Sequence, residues 1–373
     1  MVISKTTVLY ADQKNYIMLQ RGTFWHTAEV LTMLLVLWLT KNYMLYLVAQ
    51  VIFVYSRNFY MSHLASKYYP YLSKKVTLSK ERTKGIFKNV GSAFLYKIAN
   101  VLITATDNTL ISVLVNTEMV GYYSNYGIIV GKLSNLIGTL FSSLIPSLGN
   151  LIAKENEERR YQVFQTMQSL SLIISTFCVT CLVLLEDDFI RVWLGEAYVL
   201  EPLTLIAVVI NFYFVIALKP VTSFREAAGL FRKTKFIMLW TAGLNIIFSI
   251  ILGIILGMPG ILLATSLSKL LTYFWYEPKL LFEEYFGKQC SLYFLEIGKN
   301  VCINLLAIGA AWTVTCIFEP RNWLQLVGKG IVVALVSTVV IVLCYRKTEG
   351  YRILCSRLKS LVSIVLNRIH RVK

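Results

Sequence analysis

The sequence predicts an all-α, polytopic membrane helix bundle of about ten transmembrane helices. Three observations predict it. Of 373 residues, 56% are hydrophobic and only 15% charged, with a mean hydropathy of +0.62, where soluble domains carry about 25% charged residues. The apolar residues gather into runs of roughly 20, the length that crosses the hydrocarbon core at about 1.5 Å per residue. The charges fall between those runs, and the basic ones collect on alternate loops.

In chain order, residues 1–21 are polar and mildly basic, and no apolar core precedes residue 22, which argues against a cleavable signal peptide. A first apolar run, 22–40, is interrupted by His26 and Glu29; a second, 43–62, carries Arg57 close enough to its end to snorkel. The basic loop 63–91 follows, with Lys67, Lys74, Lys75, Lys80, Arg82, Lys84 and Lys88. Further spans read as 93–115, 121–145, 163–185, 200–218, 236–257, 261–282, 299–318 and 324–345. Their expected breaks are Glu186-Asp187-Asp188, Lys219-Pro220, Met258-Pro259-Gly260, Glu277-Pro278 and Glu319-Pro320. The acidic trio reads as a solvated turn, because it lacks the ligand spacing of a calcium loop. Gly195 reads as a helix stop, with Trp193 and Tyr198 as anchors at the membrane interface. The tail 346–373 places Leu354, Leu358, Leu361, Val365 and Ile369 on one helical face among Arg and Lys, the pattern of a basic amphipathic helix on an anionic leaflet.

The formal charge of +17 invites a nucleic-acid reading, and its placement argues against one. Loops on the side shared by 1–21, 63–90, 149–161, 219–235, 277–299 and 346–373 hold about 29 of the 37 Lys and Arg, and the opposite side only Lys41, Arg191 and Arg321. That asymmetry follows the positive-inside rule and expects both termini in the cytoplasm.

Polar groups inside the spans are the candidate site. In 93–115, Lys97, Asn100, Thr104, Asp107 and Asn108 fall within roughly 100° on one helical face. An Asp near the centre of a span costs on the order of 2.5–3.5 kcal/mol on insertion scales, so it faces protein or a wet cavity rather than lipid. In 121–145, Ser124, Asn125, Lys132, Asn135, Thr139 and Ser142 form a second stripe beside Gly127, Gly131 and Gly138, where Gly127 and Gly131 permit close helix packing. Lys132 is too deep to snorkel and needs an anion: either Asp107 or a negatively charged substrate. Lys269, with Thr265, Thr272 and Tyr276, is another deep cation, while Lys329 lies nearer the end of its span and reads as an interfacial anchor. Packing glue between helices would use the same Asn and Thr residues.

Catalytic signatures are missing. The three histidines are dispersed, no Gly-rich phosphate loop or G-x-S-x-G turn occurs, and Cys178-x-x-Cys181 sits mid-span without a histidine. No enzyme, metal site, disulfide framework or cofactor is expected.

The short motifs Ala11-Asp12-Gln13-Lys14-Asn15-Tyr16, Thr106-Asp107-Asn108, Val120 to Tyr126, Ser147 to Leu151, Trp193-Leu194-Gly195 and Ala227 to Phe231 together resemble the polysaccharide-unit flippases (Wzx-type) of the MATE-like exporter superfamily, over about residues 8 to 285. The resemblance implies a non-enzymatic transporter that turns an undecaprenyl-pyrophosphate-linked oligosaccharide across the bacterial cell membrane by alternating access between two bundles. Put together with the polar stripes, this leads to the expectation that Lys97, Lys132 and Lys269 attract the pyrophosphate and that Asn100, Asn108, Asn125 and Asn135 meet sugar hydroxyls, with Asp107 coupling a proton or sodium ion. The partners implied are the lipid-linked oligosaccharide, membrane lipids, and polysaccharide polymerase and assembly proteins. Flippases of this kind have about fourteen spans, and the Asp12-Gln13-Lys14 stretch matches the loop after their fourth. On that alignment the chain lacks the first four helices: 1–62 is a remnant of the first bundle, 92–282 the six-helix second bundle, and 299–345 two additional helices. A cation-coupled drug exporter, a membrane polymerase or ligase, and a non-transporting remnant are the competing readings. The first wants an acidic cavity, and the second a large outer loop bearing Arg and His.

Overall fold

The computed structural model describes residues 2–12, 14–73, 79–356 and 359. Every regular element among them is helical. They form two compact units, Met1–Ile86 and Phe87–Lys373.

In the first unit, α1 (Val2–Ala11) packs on α3 (Tyr43–Tyr68), and α2 (Asn15–Thr40) pairs with α3. Asn42 starts α3 by accepting from the Met44 and Leu45 amides. Lys5 donates to Ser66 at 3.0 Å, and Tyr69 donates to Asp12. The Lys14 ammonium, 2.7 Å from Asp12, holds that carboxyl below its usual range. The polar pair at mid-span has a structural explanation: Glu29 is buried and meets Arg57 at 3.5 Å. Arg57 therefore faces a carboxylate within the unit instead of snorkelling, and α3 continues well past it to Tyr68.

α4 (Lys80–Leu114) begins before the division between units, so residues 80–91 of the expected basic loop are already helical; 63–68 complete α3. In the second unit α5 (Thr117–Ser142) is capped by Asn116, and a bend at Ser143-Leu144 leads into α6 (Ile145–Lys154), with Pro146 in its first turn. α7 (Glu157–Leu194) is the central post, packed against α8 (Pro202–Ala217), α13 (Ser291–Thr315) and α14 (Trp323–Tyr345). It ends at Gly195 with φ 104°, the stop expected there.

α7 also runs through Glu186-Asp187-Asp188, which corrects the expected solvated turn. Glu186 and Asp188 are buried. Asp188 meets Lys329 at 2.5 Å and Arg191 at 2.7 Å, and Asp187 accepts from Tyr126 at 2.7 Å. Asp187 and Asp188, so paired, need no water and the helix continues, while both Glu186 oxygens lack a hydrogen bond among the described residues. By the same contact Lys329 is an interhelical ion-pair partner instead of an interfacial anchor.

α9 (Lys219–Ala227) follows α8 with Pro220 in its first turn. α10 (Phe231–Leu256) and α11 (Met258–Leu271) turn about Gly257 at φ 67°. A Cβ on Gly260 would overlap the Leu252 carbonyl, so the two helices approach backbone to backbone. The expected span 261–282 is divided at Thr272, after which α12 (Tyr273–Leu281) and a π-helical turn (Phe282–Phe286) continue. The expected break at Glu277-Pro278 falls inside α12.

Among the described residues, seven helices are long and apolar enough to cross a membrane, within 16–40, 117–154, 157–194, 202–227, 231–256, 291–315 and 323–345. α3 and α4 have the length, at 26 and 35 residues, but are more polar. The outward faces are apolar, with Trp38, Ile254, Trp240 and Leu324 all well exposed, as lipid contact demands. Of the tail, residues 349–356 are helical; the amphipathic helix expected farther on lies outside the described residues.

Candidate functional site

α4, α5, α8, α9 and α11 enclose a cavity of about 460 Å³ within the second unit. α4 supplies Tyr96, Lys97, Asn100, Ile103 and Thr104, one face at helical spacing. α5 adds Ser134 and Asn135, α8 Phe214 and Leu218, α9 Lys219, Arg225 and Glu226, and α11 Lys269.

Lys269 is 7% exposed, and its ammonium makes no hydrogen bond or ion pair within 4.0 Å among the described residues. Arg225, 2% exposed, lies over the Tyr96 ring at 4.0 Å and over Phe231 at 5.3 Å. Its Nη1 is 3.6 Å from Glu277 and its Nη2 3.1 Å from Glu226. Glu277 also accepts from the Tyr96 hydroxyl at 3.2 Å. The guanidinium keeps two donors, Nε and Nη1, without a hydrogen-bond partner among the described residues. Four cations, Lys97, Lys219, Arg225 and Lys269, thus line the space against one carboxylate, Glu226. In a low-dielectric wall such a surplus attracts an anion far more strongly than it would in water.

Of the residues marked in sequence, Lys97, Asn100, Asn135 and Lys269 share this cavity. Asp107 sits at the edge of the α4 stripe and turns inward: it is buried and accepts from Thr265 at 3.1 and 3.3 Å. Asn245 donates to the same Thr265 at 2.9 Å, and Thr106 reaches the Asn245 carbonyl at 3.5 Å. This knot of α4, α10 and α11 gathers carboxylate, hydroxyl and amide oxygens, a donor set suited to a hard monovalent cation or a proton. Lys132 and Asn108 stand on the exposed faces of α5 and α4, and Asn125 is half-buried; none of the three lines the cavity. An Asp107–Lys132 pair does not form among the described residues, because the carboxylate is committed to Thr265 on the other side of α4.

Lys219, Arg225, Glu226 and Glu277 were missed as site residues. By sequence the first two fall among the loop charges, and Glu277 in an expected break. The short helix α9, continuing from α8 through a turn at Leu218, packs against α6, α7 and α12 and carries Lys219 and Arg225 into the unit. The one signal available was α9's strong two-sidedness, apolar on one face and charged on the other.

Fold and site together define a polytopic helical membrane protein with a basic internal cavity. The family model described as polysaccharide biosynthesis protein matches residues 5–200, more than half of the chain. The chain belongs to this family. Comparison with curated proteins returned no match, nor did comparison with solved structures.

Proposed function

We propose that the protein moves an undecaprenyl-pyrophosphate-linked oligosaccharide across the bacterial cytoplasmic membrane, as a Wzx-type flippase and not as an enzyme. One observation carries the reading: cations outnumber carboxylates four to one around a cavity built from long helices of a membrane bundle. A pyrophosphate group would find the Lys219 and Lys269 ammonium groups and the two open donors of Arg225, while Asn100 and Asn135 would meet sugar hydroxyls. Asn108, Asn125 and Lys132, on the faces beside the cavity, would engage the glycan as it passes. The drug-exporter alternative fits poorly, since a cationic drug would face like charge.

Transport against a gradient needs a coupling ion, and Asp107 with Thr265 and Asn245 is the place for a proton or sodium ion. The basic loops and both termini face the cytoplasm. Membrane lipids, a polymerase and assembly proteins would be its partners.

The test is binding in lipid nanodiscs of undecaprenyl pyrophosphate against undecaprenol. Wild type should prefer the pyrophosphate, and Lys219→Ala with Lys269→Ala should weaken that binding about tenfold or more, two charge-assisted contacts being lost. Equal affinity for the two lipids, or an unaffected double variant, would overturn the reading.

A further inference from the structure

A second cavity, of about 420 Å³, opens where α7 begins and α14 ends. It is independent of the basic one, and its chemistry is different. From α7 come Gln165, Gln168, Ser169 and Leu172, one face of the helix. α13 contributes Tyr293 and Glu296, and Tyr345 to Gly350 close the far side.

Part of the wall is aromatic, from Tyr161, Phe282, Tyr293 and Tyr345. Tyr293 packs against Phe282, Phe294 and Phe164 with ring centroids 5.2 to 6.3 Å apart, and Tyr161 against Phe282 at 5.9 Å. Two polar groups in this wall lack partners. Gln168 is 6% exposed with its Nε2 unbonded, and Tyr293 is 1% exposed with its hydroxyl unbonded, among the described residues. Leaving both unmet is costly, so each requires a hydrogen-bonding occupant.

The lining narrows the occupant. Among the described residues it carries no Lys or Arg, and Lys288, over the Tyr161 ring at 5.7 Å, is held by Glu158 at 3.0 Å, so an anion finds no free cation there. Glu296 is already met by Lys299 at 2.8 Å and Glu349 is exposed to solvent, so no buried charge calls for a cation. An apolar molecule would leave Gln168 and Tyr293 unsatisfied. Water can meet the polar groups among Gln165, Gln168, Ser169 and Thr348, but it leaves the aromatic faces of Tyr161, Phe282 and Tyr293 without an apolar partner. What remains is a neutral ligand with an apolar face and closely spaced groups that both donate and accept. We propose that this cavity binds a neutral polyhydroxylated ring of monosaccharide size, with Gln168 and Tyr293 as its buried hydrogen-bonding groups. This site does not rest on the transport reading.

The experiment is saturation-transfer NMR on the purified full-length protein in nanodiscs, with glucose, galactose, N-acetylglucosamine and glucose 6-phosphate as probes. At least one neutral sugar should receive transfer, and glucose 6-phosphate should not. Tyr293→Phe and Gln168→Leu should each weaken the signal-giving sugar roughly tenfold; Tyr293→Phe keeps the ring packing, so its fold is preserved even if Gln168→Leu is not. Lys269→Ala, in the other cavity, should leave the signal intact. Absence of transfer to every neutral sugar, equal transfer to the phosphate, or a signal unchanged in Tyr293→Phe overturns the assignment.

Discussion

Arg225 and Glu277 show what a buried charge needs in this chain. Both side chains are almost fully enclosed, at 3% and 1% exposure, and each is only partly satisfied: Glu277 Oε2 and two guanidinium donors lack hydrogen bonds among the described residues. Removing one partner leaves the other charge stranded. Arg225→Met should therefore destabilise the purified protein by about 3–5 kcal/mol, whereas Arg225→Met with Glu277→Met should recover most of that loss. Thermal unfolding in detergent micelles reads both. A single variant as stable as wild type would mean that the pair is solvated and the cavity wall is wetter than its geometry indicates. The same scale shows why part of the site was legible beforehand. Lys97, Asn100, Asn135 and Lys269 stood out as polar residues inside apolar runs, where any such residue is costly. Arg225 looked like a loop cation because its partners, Tyr96 and Glu277, lie on two distant helices. No local pattern connects them.

At the scale of elements, boundaries followed local chemistry where a backbone rule was decisive. Gly195 and Gly257 adopt positive φ at helix ends, and Asn42, Asn116, Asn156 and Asn322 each cap a helix through their side chains. Boundaries were misread where tertiary partners override the rule. The acidic trio continues α7 because Tyr126, Lys329 and Arg191 neutralise or bond two of its members. The α10–α11 turn is the tightest backbone approach in the second unit that glycine makes possible. A Cβ at Gly260 would collide with the Leu252 carbonyl, and one at Gly253 with Ile261. Gly260→Ala should cost roughly 1–3 kcal/mol through overpacking, visible as a lower unfolding midpoint. Because this turn leads to Thr265 and Lys269, the variant should also perturb the Asp107 knot.

For the whole molecule, the distribution of Lys and Arg sets the orientation to be tested. Cys316 is exposed at the end of α13 and Cys355 lies in the helix after α14, so in the proposed orientation variants retaining one or the other would report on opposite sides. A membrane-impermeant maleimide should label Cys316 in right-side-out vesicles and Cys355 only after inversion; the reverse pattern would refute the assigned topology. Cys290 makes a poor reporter, because burial pushes its thiol up to about 11 and keeps it protonated.

Membrane class, helical character, the approximate positions of the spans and the presence of costly polar groups within them all follow from residues close together in the chain. Hydropathy and helical period are local properties, set by how each stretch meets lipid or water. Which cations share a cavity, which carboxylate each faces, and where a second pocket lined by no described cation opens were decided by packing between helices far apart in sequence. A side chain's partner depends on the rotation and depth of two helices together, and no single stretch of sequence encodes that.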